Sequence, residues 1–460
     1  MRSRLLAALA VLVSPAFAAA QTSAIPALSS RPGAAYTIYL DFGGFNFTGT
    51  WGGTGYTSVP GSSRAYTVDG DPTTFNATEV RNIREIWSRT AEAYAPFNVN
   101  VTTVDPAAAG LADAQRQAFY DNTPRMMHTV IGGDGGWTGG AGGISYLGVT
   151  AGSYSPAGQN GGAGRGFHTN FVFSDVYYSN QPGVFLSGIA LAAAHENGHG
   201  LNLDHQSAYT GTTLTDPYDR GDGATGPIMG APYGADRGQW RIGPTPTSST
   251  TIQNDVRVIQ ANAGIRTGSA TGYVDSGNGH TRATAAPLPL TGATVDFAAA
   301  KGVITPLSSS SPNPLGEGNY TTDFFRLTVT AGATGNLDVT VRSGRTDSGL
   351  SSTGSADPGG VLDATFRLLD ANGNVLAEAL GGAGLFSERI ARTGLTAGDY
   401  YLQVSAAGAS ASYYDMGSYF LTGTFALVPV PEPGLVLLAA AVGLGLRRLA
   451  RRRAAGGGGS

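Results

Sequence analysis

An almost wholly apolar run, Ser187 to Ala194, leads straight into His195-Glu196-Asn197-Gly198-His199. A helix apolar all round has no solvent face, so it must be buried. Its polar end then lies in the interior or opens on a cleft, and each buried imidazole or carboxylate there needs a partner. Any fold for this chain must supply one central helix slot with a polar environment at its C-terminal end. On such a helix His195 and His199 are one turn apart and share a face, so both rings reach one point. Glu196 is rotated off that face. Gly200 and Asn202 come next; these residue types best tolerate the positive φ that a helix exit requires. His205 can then swing back beneath the first two. Three of the six histidines in the chain thus fall within one short stretch.

Neutral imidazole is a good ligand for Zn²⁺, and three protein ligands leave a position open for water and substrate. Glu196 at the rim of that position is placed to act as a general base towards water. A surface or core histidine cluster is the bland alternative, and the third histidine at this spacing argues against it.

The stretch His195 to His205 resembles the metzincin motif H-E-x-x-H-x-x-G-x-x-H, with Asn202 where glycine is usual. Pro227-Ile228-Met229-Gly230 resembles the Met-turn of that clan. Tyr39-Leu40-Asp41-Phe42, Phe97 to Thr103 and Gly230 to Trp240 are similar to segments of bacterial reprolysin-like metallopeptidases that carry a C-terminal β-sandwich. The resemblance implies a zinc endopeptidase acting on protein or peptide substrates. It implies zinc on His195, His199 and His205, Glu196 as general base, Met229 beneath the metal, and Tyr233 as a candidate ligand or oxyanion donor. The fold class it implies is α+β: a metzincin-like catalytic domain with a mixed, mostly parallel twisted sheet and an active-site helix, followed by an all-β sandwich. In that fold Ile144–Val149 would be the edge strand above the cleft, where an extended substrate can pair. Two rival readings use the same residues: a weak or inactive cell-surface or matrix binding protein, and a zinc amidase. The retained Glu196 argues against the first, because a structural zinc needs no base.

Periodicity gives the organisation. Tyr36 to Leu40, Asn98 to Val104, His128 to Ile131 and Asn170 to Phe173 read as strands. Asn76 to Tyr94 reads as a helix with a capping box from Asn76 and Glu79. A further amphipathic helix is expected from Thr251 to Ala263, with Ile252, Val256 and Ile259 inward. Phe324 to Val329, Leu337 to Val341, Ala364 to Leu369 and Tyr400 to Val404 alternate as sandwich strands, with a hairpin turn at Asp370 to Asn374. The expected domains are residues 34–266, the zinc metallopeptidase part, and 270–427, a sandwich resembling pre-peptidase C-terminal domains. The Ser- and Gly-rich stretch Thr267 to Gly279 joins them.

Both ends read as sorting signals. Residues 1–20 combine Arg2 and Arg4, a short apolar run and small-x-small sites, as in a secretory signal peptide. Residues 428–460 hold Pro431-Glu432-Pro433, an apolar stretch and an arginine cluster, and resemble the PEP-CTERM signal of Gram-negative bacteria. That resemblance implies transient inner-membrane contact and an exosortase-type transpeptidase as partner, with the protein secreted or held at the cell surface or matrix. The chain has no cysteine, so disulfides cannot staple an exported fold of this sequence. Net charge is only -4, and no basic stripe points to nucleic acid. The acidic loops at Asp134 and at Asp219 to Asp222 are candidates for structural Ca²⁺.

Overall fold

A computed structural model describes residues 24–52, 57–150, 167–180, 185–235, 237–262, 273–307, 320–351, 357–381, 386–407 and 414–430. The two expected sorting signals therefore lie almost wholly outside the described residues.

Five strands build the sheet behind the histidines: β1 (Tyr36–Asp41), β2 (Val99–Thr102), β3 (Met126–Ile131), β4 (Gly143–Ile144) and β5 (Thr169–Val172). Their order is β2-β1-β3-β5-β4, all parallel except β4, which runs antiparallel to β5 at the edge. Helices α1 (Ala77–Ala93), α2 (Asp113–Asn122), α3 (Ser174–Asn180) and α4 (Phe185–Gly200) flank it. Asn76 caps α1, and its box with Glu79 is complete. α1 and α4 share one face of the sheet in a core with Tyr36, Ile38 and Leu40. The alternate residues Tyr39, Val130 and Phe171 face a second cluster with Tyr120 of α2. Strand alternation is thus resolved into two buried faces.

The metzincin-like α+β class does not describe this chain. Among the described residues strand outweighs helix, 38% to 18%, and the fold they show is predominantly β. The sequence reading missed this for a physical reason. The polar Gly- and Thr-rich stretch from 208 to 254, which periodicity leaves as loop, folds into short paired strands: Ala208–Thr210 with Thr213–Asp216, Thr225–Pro227 with Arg237–Gln239, and Ile242–Thr245 with Ser248–Asn254. The helix expected from Thr251 begins only at Asp255 (α5, Asp255–Asn262). Its β-branched start, Thr250-Thr251-Ile252, prefers strand. Ile252 is accordingly 56% exposed, whereas Val256 and Ile259 are buried. The expected edge strand Ile144–Val149 is also cut short. Beyond Ile144 the chain turns at Gly148 (φ 71) to bond the end of α4.

The C-terminal strands form two facing sheets. One holds β6 (Thr322–Val329), β8 (Ala364–Asp370), β9 (Val375–Leu380) and β11 (Gly398–Ala406). The other holds β7 (Ala333–Ser343), β10 (Ser387–Leu395) and β12 (Gly417–Pro429). Asp370 Oδ1 accepts from the backbone N–H groups of Asn372 and Asn374, which fixes the expected β8–β9 turn. These sheets pack directly on α1. Ser88 Oγ donates to Asp357 at 2.8 Å, and Glu92 accepts from the Ser418 N–H at 2.6 Å. Tyr414 binds both Trp240 and Asn254. One hydrophobic cluster runs through both parts.

Candidate metal centre and cleft

α4 ends in a hydrogen-bonded stop that aims the third histidine. The Leu203 N–H donates to Gly198 O and the Asn202 N–H to His199 O, with Asn202 at φ 73. This is a Schellman cap with asparagine in the left-handed position that usually takes glycine. The His199 carbonyl also accepts from the Gly148 N–H, and the Gly200 carbonyl accepts from the Thr150 N–H. The chain reverses there, and His205 comes back under the helix.

The turn Pro227–Gly230 lies against α4 from the other side. Gly198 makes this possible: an added Cβ would stand 2.6 Å from Met229 Sδ. Met229 is fully buried. The turn also orients a ring, since His195 Nδ1 donates to Ile228 O at 2.8 Å. His199 Nδ1 donates to Leu203 O at 2.7 Å. Carbonyl oxygens only accept, so these two Nδ1 atoms carry the protons and the Nε2 atoms present lone pairs.

One nitrogen from each of His195, His199 and His205 lies within 4.8 Å of the others. His199 Nε2 and His205 Nε2 are 3.1 Å apart. Burial, then the neighbouring imidazoles, holds His195 well below the ordinary histidine range; the same causes bring His199 down to about 4, and burial lowers His205. Neutral, converging imidazoles, two of them with tautomers fixed by backbone carbonyls, are the donor set a zinc ion takes. The residues therefore fit the group that the motif implies. Among the described residues no second trio of His, Cys, Asp or Glu gathers in this way.

Glu196 is 6% exposed. Burial pushes its carboxyl up to about 8. It shares a cleft of about 430 Å³ with the three histidines, Tyr177, Tyr218 and Tyr233. The edge-strand residue Gly143 sits so close that a Cβ there would stand 2.5 Å from Glu196 Oε1. Tyr233, expected as a ligand or oxyanion donor, lines the cleft with its hydroxyl 3.1 Å from that of Tyr177. Tyr218, which the sequence reading passed over, is nearer the histidines: its ring centroid is 4.2 Å from that of His205. Burial and the Glu196 charge raise its pKa. Asp216-Pro217 before it is a turn signal, but no spacing ties it to the histidines.

In the acidic loops the carboxylates accept backbone hydrogen bonds. Asp219 Oδ1 accepts from the Gly221 N–H, Asp222 Oδ1 from Ala224 and Thr225, and Asp134 Oδ1 from Gly136. These are turn-stabilising bonds.

No family model matches the chain, and no curated protein matches it. Solved structures similar to part of it include the following two. The pre-peptidase C-terminal domain of collagenase from Bacillus anthracis is 19% identical over 25% of this chain and 83% of that one, with a TM-score of 0.15. The CBM35 from Cellvibrio japonicus Abf62 is 14% identical over 26% of this chain and 74% of that one, with a TM-score of 0.15. At these scores neither likeness carries a fold or an activity across.

Proposed function

We propose that this protein is a zinc-dependent endopeptidase, exported and held at or released from the cell surface, that hydrolyses protein or peptide substrates. The observation that carries the proposal is the convergence of three neutral imidazoles beside a buried carboxylate in an open cleft. His195, His199 and His205 would hold the ion through Nε2. Zinc, when bound, supplies Lewis-acid polarisation and acidifies water. The residues of the chain do the rest. Glu196 acts from its ionised form, which a cation held by the neutral imidazoles would favour over the neutral form that burial favours. Its carboxylate accepts a proton from the attacking water and returns it to the leaving amine as the C–N bond breaks. The edge strand β4 offers unpaired backbone groups along which an extended peptide can align. Ile228 and Leu203 hold the rings of His195 and His199 still.

The test is paired. The full chain is purified as wild type and as Glu196→Ala, zinc per chain is measured, and both are assayed on mixed denatured proteins with and without chelator. Zinc in both with chelator-sensitive cleavage only by wild type is expected. Zinc in both with no cleavage by either would sink the peptidase reading in favour of a binding protein.

A further inference from the structure

Three tyrosines line the cleft, and their hydroxyls are not equivalent. Those of Tyr177 and Tyr233 face each other at 3.1 Å and engage one another. The Tyr218 hydroxyl has no protein hydrogen-bond partner among the described residues. Tyr218 is 41% exposed. Its ring is packed against His205, with centroids 4.2 Å apart and planes tilted by 42°, and lies 6.4 Å from that of His195 at 25°.

The loop bearing Tyr218 is clamped at both sides of the metal centre. Asp216 Oδ1 accepts from the Tyr218 N–H at 3.0 Å. The Asp219 N–H donates to Gln206 O at 2.8 Å, and Ser207 Oγ donates to Pro217 O at 2.9 Å. On the other side Asp219 O accepts from the Ala231 N–H at 2.9 Å. Gly230 leaves room for that contact, since a Cβ there would fall 2.0 Å from Asp219 O. The segments after the third histidine and after Met229 therefore both hold this one loop. A free phenol on a fixed backbone at a reaction centre is a preorganised donor.

We propose that Tyr218 is a further catalytic residue: its hydroxyl donates a hydrogen bond to the oxygen of the scissile carbonyl as that oxygen gains negative charge. This rests on the peptidase reading. Glu196 packs against Gly143 of the edge strand and Tyr218 against His205. Proton acceptor and hydrogen-bond donor thus reach the carbonyl from different walls of the cleft. The Tyr233 hydroxyl is hydrogen-bonded to that of Tyr177, whereas the Tyr218 hydroxyl is unengaged among the described residues.

The test uses the full chain as wild type, Tyr218→Phe and Tyr218→Leu, with two readouts: steady-state kinetics, and affinity for a phosphinic peptide that mimics the tetrahedral adduct. For Tyr218→Phe a fall in kcat of roughly 10²–10³ is expected, the range for losing one oxyanion donor. KM and zinc per chain should stay at the wild-type level, and phosphinic-peptide affinity should fall while affinity for a product peptide does not. Unchanged kcat and phosphinic-peptide affinity in Tyr218→Phe, with zinc lost only in Tyr218→Leu, would overturn the donor role and leave the ring as packing for His205. Wild-type protein that binds zinc and the phosphinic peptide but cleaves nothing would overturn the peptidase reading instead. The affinity ratio would then still decide on the Tyr218 hydrogen bond.

Discussion

Gly143 faces Glu196 with no side chain of its own, and giving it one is a sharp perturbation. Its φ lies in the ordinary range, so the backbone accepts alanine without strain. The new Cβ would stand 2.5 Å from Glu196 Oε1, 2.9 Å from Cγ and 3.0 Å from Cδ, where ordinary contact begins at 3.4 Å. The carboxylate must therefore retreat by about 0.9 Å, or the edge strand must move by as much. Misplacing a reacting group by ~1 Å costs on the order of 10²-fold in rate. Gly143→Ala should lower kcat/KM by about that factor. The three histidines are untouched, so zinc per chain should equal wild type. Gly234→Ala is the matched control, since nothing lies within 4 Å of its added Cβ. The assay is kcat/KM on a fluorogenic peptide, with zinc content and thermal midpoint measured on each variant. Gly143→Ala within twofold of Gly234→Ala would refute the idea that this contact sets the position of the carboxylate.

Further outcomes follow from the same geometry. His205→Ala should weaken zinc binding by more than the ~10–100-fold typical of losing a supporting contact, read by competition with a chromogenic chelator; unchanged affinity removes His205 from the ligand set. Glu92, which is 1% exposed, is pushed up from 4.5 to about 7 by burial. Its contribution to stability is therefore full below pH 4.5 and is lost as pH rises towards 7, by about 3 kcal/mol at ~1.36 kcal/mol per unit. Denaturant unfolding of wild type and Glu92→Gln should diverge over that window, and a difference flat with pH would refute it. A chain ending at residue 266 should lose cooperative unfolding, because it strips Asp357, Ser418 and Tyr414 from their partners Ser88, Glu92 and Asn254; a sharp thermal transition in that fragment would contradict it. Deleting residues 431–460 should shift the protein from the cell fraction to the medium, and unchanged partition on immunoblotting would sink the sorting assignment.

Much of the site was legible locally. The apolar run before His195, the i, i+4 histidines and the φ-tolerant Asn202 are short-range facts, and the left-handed Asn202 follows from them. The Asn76 cap and the β8–β9 turn were readable for the same reason: each is closed by residues within a few positions. The weakly periodic stretch from 208 to 254 was not. Its strands are short and mostly polar, so hydrophobic alternation is absent and backbone pairing alone defines them, in two hairpins and one parallel pair.

The sequence by itself determined which residues can ligate, where the buried helix runs and how it stops, because propensity, capping and helical spacing act over one or two turns. Only the tertiary structure decided that the fold of the described residues is predominantly β, that Gly143 sits against Glu196, and that Tyr218 rather than Tyr233 lies against the histidines. Those outcomes depend on segments far apart in the chain that meet through backbone hydrogen bonds and close packing. No local pattern encodes which of several loops will fill the space beside a given ring.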